Sequence, residues 1–452
     1  MASALLYDRL QFAVTATFHY LFPQLTMGLA LLLFYLRSRA LRAGDPLHHQ
    51  AARFWTRIFA LSFAFGVVTG IPLEFQFGTN WAKFSNFAGG VIGQTLAMEG
   101  LFAFFLESSF LGLLLFGERF GPRVQWFASL MLLLGSWLSG YFILATNAWM
   151  QHPVAYTTAP DGRLFVTSLS GLLANPWLLW QFTHNMTASV VTASFVMAAL
   201  GALYLLAGRH GEQARLFLRT GVVAGAIGSA LLIFPTGHGN ARQVFAHQPA
   251  KGAAFEGLFR TERGAALLLV GQPNMETLTI DNPVAVPDAL SILLYDELYA
   301  QVKGLDAFPR EDWPDNVPLL YYSYHIMAGL GTILAGVMAL ALLLLWRGRL
   351  FAASWMLWAL LLAAPFPYVA TTAGWMTAEL GRQPWLVYGL MRTAEGASPL
   401  VHSGNALFTL IGFLGLYLLL GLLFLFLVAE TVRQGPAPAE REPSRPAAPI
   451  GY

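Results

Sequence analysis

Nine apolar runs of about 20 residues dominate this chain, near 10–36, 54–77, 94–117, 125–148, 178–207, 217–236, 319–346, 353–376 and 403–430. A run of that length crosses the hydrocarbon layer of a bilayer as a helix, and lipid offers no partner to a backbone that is not already hydrogen-bonded. The expectation is an all-α integral membrane protein with nine transmembrane helices and one long extracytoplasmic loop. Composition agrees: 56% of the 452 residues are hydrophobic and 11% are charged, against roughly 25% charged in soluble domains. Pro23, Pro72, Pro365 and Pro367 fall inside the runs and are expected to kink their helices. With a net charge of +2 and its charges spread over loops, the chain has no basic patch for nucleic acid. It has no cysteine, so any metal chemistry must use His, Met and carboxylates. The opening "MASALLYDRLQF" lacks the basic and apolar regions of a removable signal peptide.

Basic residues set the expected direction. Arg37, Arg39, Arg42, Arg53 and Arg57 flank the first connection, followed on the same side by Arg119 and Arg123, Arg209, Arg215 and Arg219, Arg347 and Arg349, and Arg433. The alternate connections offer Lys83, Arg163, Arg382 and Arg392. The positive-inside rule then puts the N-terminus outside and the C-terminus in the cytoplasm. The chain divides into helices one to six (1–236), an outer loop (237–318), helices seven to nine (319–430) and a Pro/Ala-rich tail (431–452) expected to be disordered. A loop as long as 237–318 is usually functional, and "RQVFAHQPAKGAAFEGLFRTERG" within it has the alternation of an amphipathic surface element.

Ionisable groups inside a membrane are costly and mark sites of function. His19 is expected about a third of the way into span one from outside, and Glu99 near the outer end of span three. His184 and Met327 fall early in spans five and seven, and Glu379 at the outer end of span eight. Glu107 would lie about 12 Å deeper than Glu99 at 1.5 Å per helical residue. Singly, each has a plainer role: an interhelical hydrogen bond for the histidines, core packing for Met327, an ion pair with Arg382 for Glu379. A common depth in the outer half favours a shared site, and a His/Met pair is a ligand set for low-spin haem.

The stretches "RLQFAVTATFHYLF", "GIPLEFQFGTNW", "AMEGLFAFFLES", "NAWMQHP", "QFTHNMTAS" and "GWMTAELGRQPW" closely resemble subunit I of the cytochrome bd-type quinol oxidases, over about residues 5–430. The resemblance implies a copper-free quinol:oxygen oxidoreductase of the respiratory chain in a bacterial or archaeal cytoplasmic membrane. It implies a low-spin haem b, a high-spin haem b and a haem d (or a third haem b). It also implies a second multi-span subunit as partner, and in some members a small single-span one. By motif, His184 and Met327 would ligate the low-spin haem. His19 and Glu379 would ligate the high-spin pair, with Glu99 on the other face of one. Trp375 would lie between haems and Arg382 would neutralise propionates. The outer loop would be the quinol-binding loop in its short form. Lys251 and Glu256 match the pair implicated in quinol oxidation, although alone they would pass for surface charges. His325 departs from the arginine that relatives commonly carry two residues before the methionine ligand, and it offers a rival donor.

The resulting expectation is quinol oxidation at the outer face and oxygen reduction with cytoplasmic protons delivered past Glu107 and Glu99, which builds a proton motive force without a pump. Two other classes share some of these features. A proton-coupled transporter would use the carboxylates, and an electron-relaying membrane cytochrome b would use His184 and Met327.

Overall fold

A computed structural model describes residues 2–436. In chain order the helices are α1 (Ala2–Ala43), α2 (Pro46–Thr79), α3 (Ala82–Met98), α4 (Phe105–Phe116), α5 (Pro122–Gln151), α6 (Leu169–Leu173), α7 (Pro176–Leu206) and α8 (Gly211–Leu231). There follow α9 (His238–His247), α10 (Pro249–Glu256), α11 (Ala289–Tyr295), α12 (Val317–Trp346), α13 (Ser354–Ala363), α14 (Phe366–Leu380), α15 (Thr393–Gly396) and α16 (Ser403–Gln434). A π-helical segment, Glu99–Phe104, joins α3 to α4, and another, Leu232–Gly237, joins α8 to α9. Among the described residues nine helical stretches are long and apolar enough to cross a membrane, in the order the hydropathy predicts.

The boundaries differ where polar residues lengthen a helix beyond its apolar run. The third stretch starts at Ala82 rather than near 94, so Glu99 stands midway along the helical stretch rather than near its start. Pro23 and Pro72 lie within continuous helices, whereas Pro365 and Pro367 flank the break between α13 and α14. Of the tail placed at 431–452, residues 431–434 complete α16 and 437–452 lie outside the described residues.

Helix α7 forms the centre of the bundle, with Ala193, Phe195, Met197 and Ala198 fully buried. In lipid no hydrophobic force draws helices together, so close packing of small residues and interhelical hydrogen bonds must do it. Both are present. Gly28 of α1 lies so near α7 that an added Cβ would come within 2.0 Å of the Ser189 carbonyl oxygen, and Gly221 of α8 stands similarly close to Ser194. Gln24 of α1 donates to Thr192 of α7 (3.1 Å) and Thr371 of α14 (3.2 Å), while its carbonyl oxygen accepts from Ser189 (3.2 Å). One buried amide thereby ties three helices.

The connection 237–318 is folded, not structureless. It holds α9, α10, α11 and an antiparallel hairpin of Leu267–Asn274 with Thr279–Val286. The stretch expected to lie amphipathically on the surface instead turns inward: Ala253, Ala254 and Phe255 of α10 pack with Trp177 of α7 and Leu320 of α12 in one buried cluster.

The α1–α7 contact generates a stability prediction. Gly28→Ala, which must displace a backbone carbonyl, is expected to cost about 1–3 kcal/mol and to lower the thermal midpoint of the detergent-solubilised protein. Gly93→Ala, at a position with no heavy atom within 4 Å of the new Cβ, leaves the midpoint unchanged or raises it.

Candidate functional site

A ladder of polar side chains on α5 organises the site. From its C-terminal end backward it presents Gln151, Asn147, Ser139 and Ser136, and each meets a residue singled out above or a partner of one. Gln151 and Asn147, four apart, share one face of the helix.

At that end, Glu379 near the close of α14 accepts from Asn147 Nδ2 (2.8 Å) and Gln151 Nε2 (3.4 Å), and it is ion-paired with Arg382. Asn147 in turn accepts from Gln181 of α7 (2.6 Å), one turn before His184. The Arg382 side chain is 4% exposed, and its Nε and Nη1 are buried without a partner. Two unspent guanidinium donors in a buried place are an anion-binding arrangement.

Lys251 of α10 reaches the same end. Its Nζ donates to the Ala378 carbonyl (2.8 Å) and to Gln151 Oε1 (3.2 Å), and stands 5.5 Å from the centroid of the Trp177 ring. Burial pushes the ammonium down to about 7; Glu379 opposes that shift and Arg382 adds to it. Glu256, five residues on, points elsewhere. It is hydrogen-bonded to Tyr324 of α12, Phe255 stacks on that tyrosine at 4.3 Å, and Glu256 Oε2 is buried without a partner. Burial raises its carboxyl to about 7, against the lowering effect of the Tyr324 hydroxyl. Lys251 and Glu256 are 3% and 4% exposed, which rules out the surface-charge alternative. They do not pair with each other.

Further in, Ser139 donates to Glu99 (2.8 Å) and Ser136 to Glu107 (2.9 Å). The serines are three residues apart, about 4.5 Å along α5. The two carboxylates therefore meet the same face of α5 on neighbouring turns. The reason is the π segment that begins at Glu99. In an α-helix the residue eight positions on is rotated about 80° from the first, whereas a wider i→i+5 turn absorbs one residue and brings both groups round to α5. Glu74 of α2 lies within electrostatic reach of Glu99. Hydropathy did not single it out.

The remaining candidates are each set against a glycine. A Cβ on Gly70 of α2 would come within 2.9 Å of His19 Cε1, and His19 Nδ1 lies 3.2 Å from Thr69 Oγ1. A Cβ on Gly237, at the end of the second π segment, would stand 3.3 Å from His184 Cε1, and Thr236 Oγ1 lies 3.5 Å from His184 Nδ1. A Cβ on Gly374 of α14 would stand 2.9 Å from Met327 Sδ. The next residue, Trp375, packs against the cluster that contains Met186 and Leu178 of α7. Positions 374 and 375 thus lie between Met327 and the helix carrying His184. His325 is engaged elsewhere: its ring nitrogens face the carbonyl oxygens of Tyr321 (2.9 Å) and Leu268 (3.1 Å), toward the outer hairpin.

Imidazole, thioether and carboxylate donors inside a helical membrane bundle, with a buried arginine that has donors to spare, form the side-chain complement of a membrane haem protein. A family profile described as cytochrome bd terminal oxidase subunit I matches residues 7–436. The cytochrome bd ubiquinol oxidase subunit 1 of Bacillus subtilis (strain 168) is 35% identical, over 96% of this chain and 94% of that protein. The cytochrome bd-II ubiquinol oxidase subunit 1 of Escherichia coli (strain K12) is 32% identical, over 96% and 97%. The bd oxidase structure from Geobacillus thermodenitrificans superposes with a TM-score of 0.89 at 30% identity, covering 96% of this chain and 99% of that one. The chain belongs to the cytochrome bd terminal oxidase subunit I family.

Proposed function

We propose that the chain, as subunit I of a respiratory oxidase complex, oxidises membrane quinol beside its folded outer loop and reduces dioxygen to water with protons drawn from the cytoplasm. The observation that carries this reading is the buried junction where Lys251, Gln151, Glu379 and Arg382 meet, because it joins a candidate quinol site directly to candidate haem ligands. The N-terminus faces outside and the C-terminus the cytoplasm, by the distribution of arginines. Residues 237–318 are the quinol-binding loop, between the helix sets 1–236 and 319–430. A second multi-span subunit completes the complex, and a small single-span one joins it in some relatives.

The donor set fits haem. His184 and Met327 would hold a low-spin haem b. His19 and Glu379 would hold the two high-spin haems, a haem b and a haem d (or a third haem b), and Glu99 would be a further donor to one of them. The bare glycines at positions 70, 237 and 374 leave His19, His184 and Met327 uncrowded, and the free donors of Arg382 suit propionates. Trp375 fills the space between the ligand-bearing helices. When bound, haem supplies the one-electron and dioxygen chemistry that no side chain can.

The side chains handle protons and position. Lys251 holds a head-group oxygen of the quinol, and Glu256, with one carboxylate oxygen free, accepts the hydroxyl proton as general base. Two quinols supply the four electrons that one dioxygen consumes. Their protons leave outside while four others enter from inside, and Glu107 and Glu99, held by Ser136 and Ser139, carry those across the inner part of the bundle. Charge separation follows from the two proton routes opening on opposite faces.

The test of the function is spectral. The purified complex, reduced, is expected to show haem absorption that carbon monoxide alters; a colourless preparation would mean a transporter, and a pigment indifferent to carbon monoxide would mean an electron relay. Glu107→Leu is expected to slow oxygen consumption about a hundredfold or more, in the range of lost proton-transfer catalysis, with haem absorption unchanged; normal turnover would remove Glu107 from the route. Glu256 must be ionised and Lys251 protonated. The value of kcat/KM for quinol should therefore rise with pH through about 7 on the Glu256 limb and fall with pH through about 7 on the Lys251 limb. Glu256→Gln should abolish the acid limb.

A further inference from the structure

Two dipeptides close the outer end of the site. Gln151 ends α5 and is followed by His152, and His247 ends α9 and is followed by Gln248. The glutamines meet on the inside, both fully buried: Gln248 Nε2 donates to the Gln151 carbonyl (2.7 Å) and to Gln151 Oε1 (3.0 Å). The histidines meet on the outside. Their rings stack with centroids 3.8 Å apart and planes 26° from parallel, and both are half-buried. The Trp177 indole lies on the other side of His247 at 5.9 Å, and the same indole faces the Lys251 ammonium. Among the described residues neither imidazole hydrogen-bonds to a protein group through its ring.

We propose that the stacked His152–His247 pair is the proton exit of the quinol-oxidising site, taking on the protons that Glu256 accepts from the quinol held at Lys251 and passing them to water outside. The inference rests on the assignment of Lys251 and Glu256 to quinol, and adds the path their protons take. Imidazole is the side chain that gains and loses a proton near neutral pH. Two of them in contact cannot both stay protonated, so a second proton drives the first off and the pair discharges as a unit. Burial, and then the neighbouring ring, hold His152 below the ordinary histidine value, which keeps it neutral and ready to accept.

The surrounding charges leave the pair free to act. On α10, Lys251 is bonded to Gln151, the residue next to His152, and faces the Trp177 ring. On α9, Arg242 is ion-paired with Asp296. Glu379 and Arg382 stand behind Gln151 and pair with each other, and α7 contributes the uncharged Trp177. Each transfer protonates a ring nitrogen and then deprotonates it to water; no electron moves. Two protons leave in this way for each quinol oxidised.

The test uses the complete oxidase complex in lipid and two double variants. His152→Asn with His247→Asn removes both rings. His152→Phe with His247→Phe keeps a stacked aromatic pair without nitrogen. In both, kcat with quinol is expected to fall about a hundredfold, the low end of what a positioned proton acceptor contributes, with KM little changed. Added imidazole should restore the rate in proportion to its neutral fraction. Oxygen consumption driven by an artificial reductant that bypasses quinol should match the unmodified complex. Full quinol turnover in the Phe pair, or a loss that imidazole does not restore, would overturn the relay. Lys251→Ala and Glu256→Gln separate the two levels. If both retain quinol oxidation, the quinol site itself is misassigned; if they lose it while the histidine variants do not, only the exit is wrong.

Discussion

The hydrogen bonds that α5 makes to buried carboxylates are the interactions on which the rest of the arrangement depends. A charged or polar group in lipid is expensive unless it finds a partner inside the protein. In this fold a single helix supplies partners for three glutamates and, through Gln151, for a lysine. Asn147 and Gln151 hold Glu379, Ser139 holds Glu99, and Ser136 holds Glu107. Without that row the carboxylates would have no reason to lie in the bundle. With it, Glu379 and Lys251 at one end and Glu99 and Glu107 further along share one rigid support, and a shift of α5 would disturb both groups.

The outer loop depends on the same helix. The Gln151–Gln248 contact fastens α9 and α10 to the end of α5, and that anchorage brings Lys251 onto the Ala378 carbonyl beside the Glu379–Arg382 pair. The proposed quinol and haem sites therefore meet where a loop helix, α5 and α14 converge. Arg382 is the point of greatest tension. Two of its nitrogens are buried and have no protein partner among the described residues, an arrangement that an anion would complete.

Much of the fold was legible in the amino-acid pattern because lipid admits few solutions: a long apolar run must become a helix, and nine runs became nine stretches in the expected order. The ends were less legible, since hydropathy marks where a helix is apolar and not where it stops; α3 extends outward through "AKFSNFAGG", which moved Glu99 to mid-helix. The convergence of Glu99 and Glu107 was hidden because a π turn has no compositional signature. The burial of Lys251 and Glu256 was hidden because it depends on α10 folding back onto α7 and α12, a tertiary contact in a stretch whose alternation resembles a surface helix. Gln151 and Asn147 were in view within "NAWMQHP", yet their importance lies in what they touch. His325 drew notice as a rival donor, and its two carbonyl contacts direct it toward the hairpin.

The central claim is that iron porphyrins are gripped by imidazole, thioether and carboxylate groups among these helices. A density map of the purified complex with anomalous differences measured at the iron edge tests it most directly. The account predicts iron peaks at bonding distance, about 2 Å for a histidine nitrogen, from His184 and His19, with one more beside Glu379. Iron absent from haem-replete material, or iron bound away from these side chains, would contradict it.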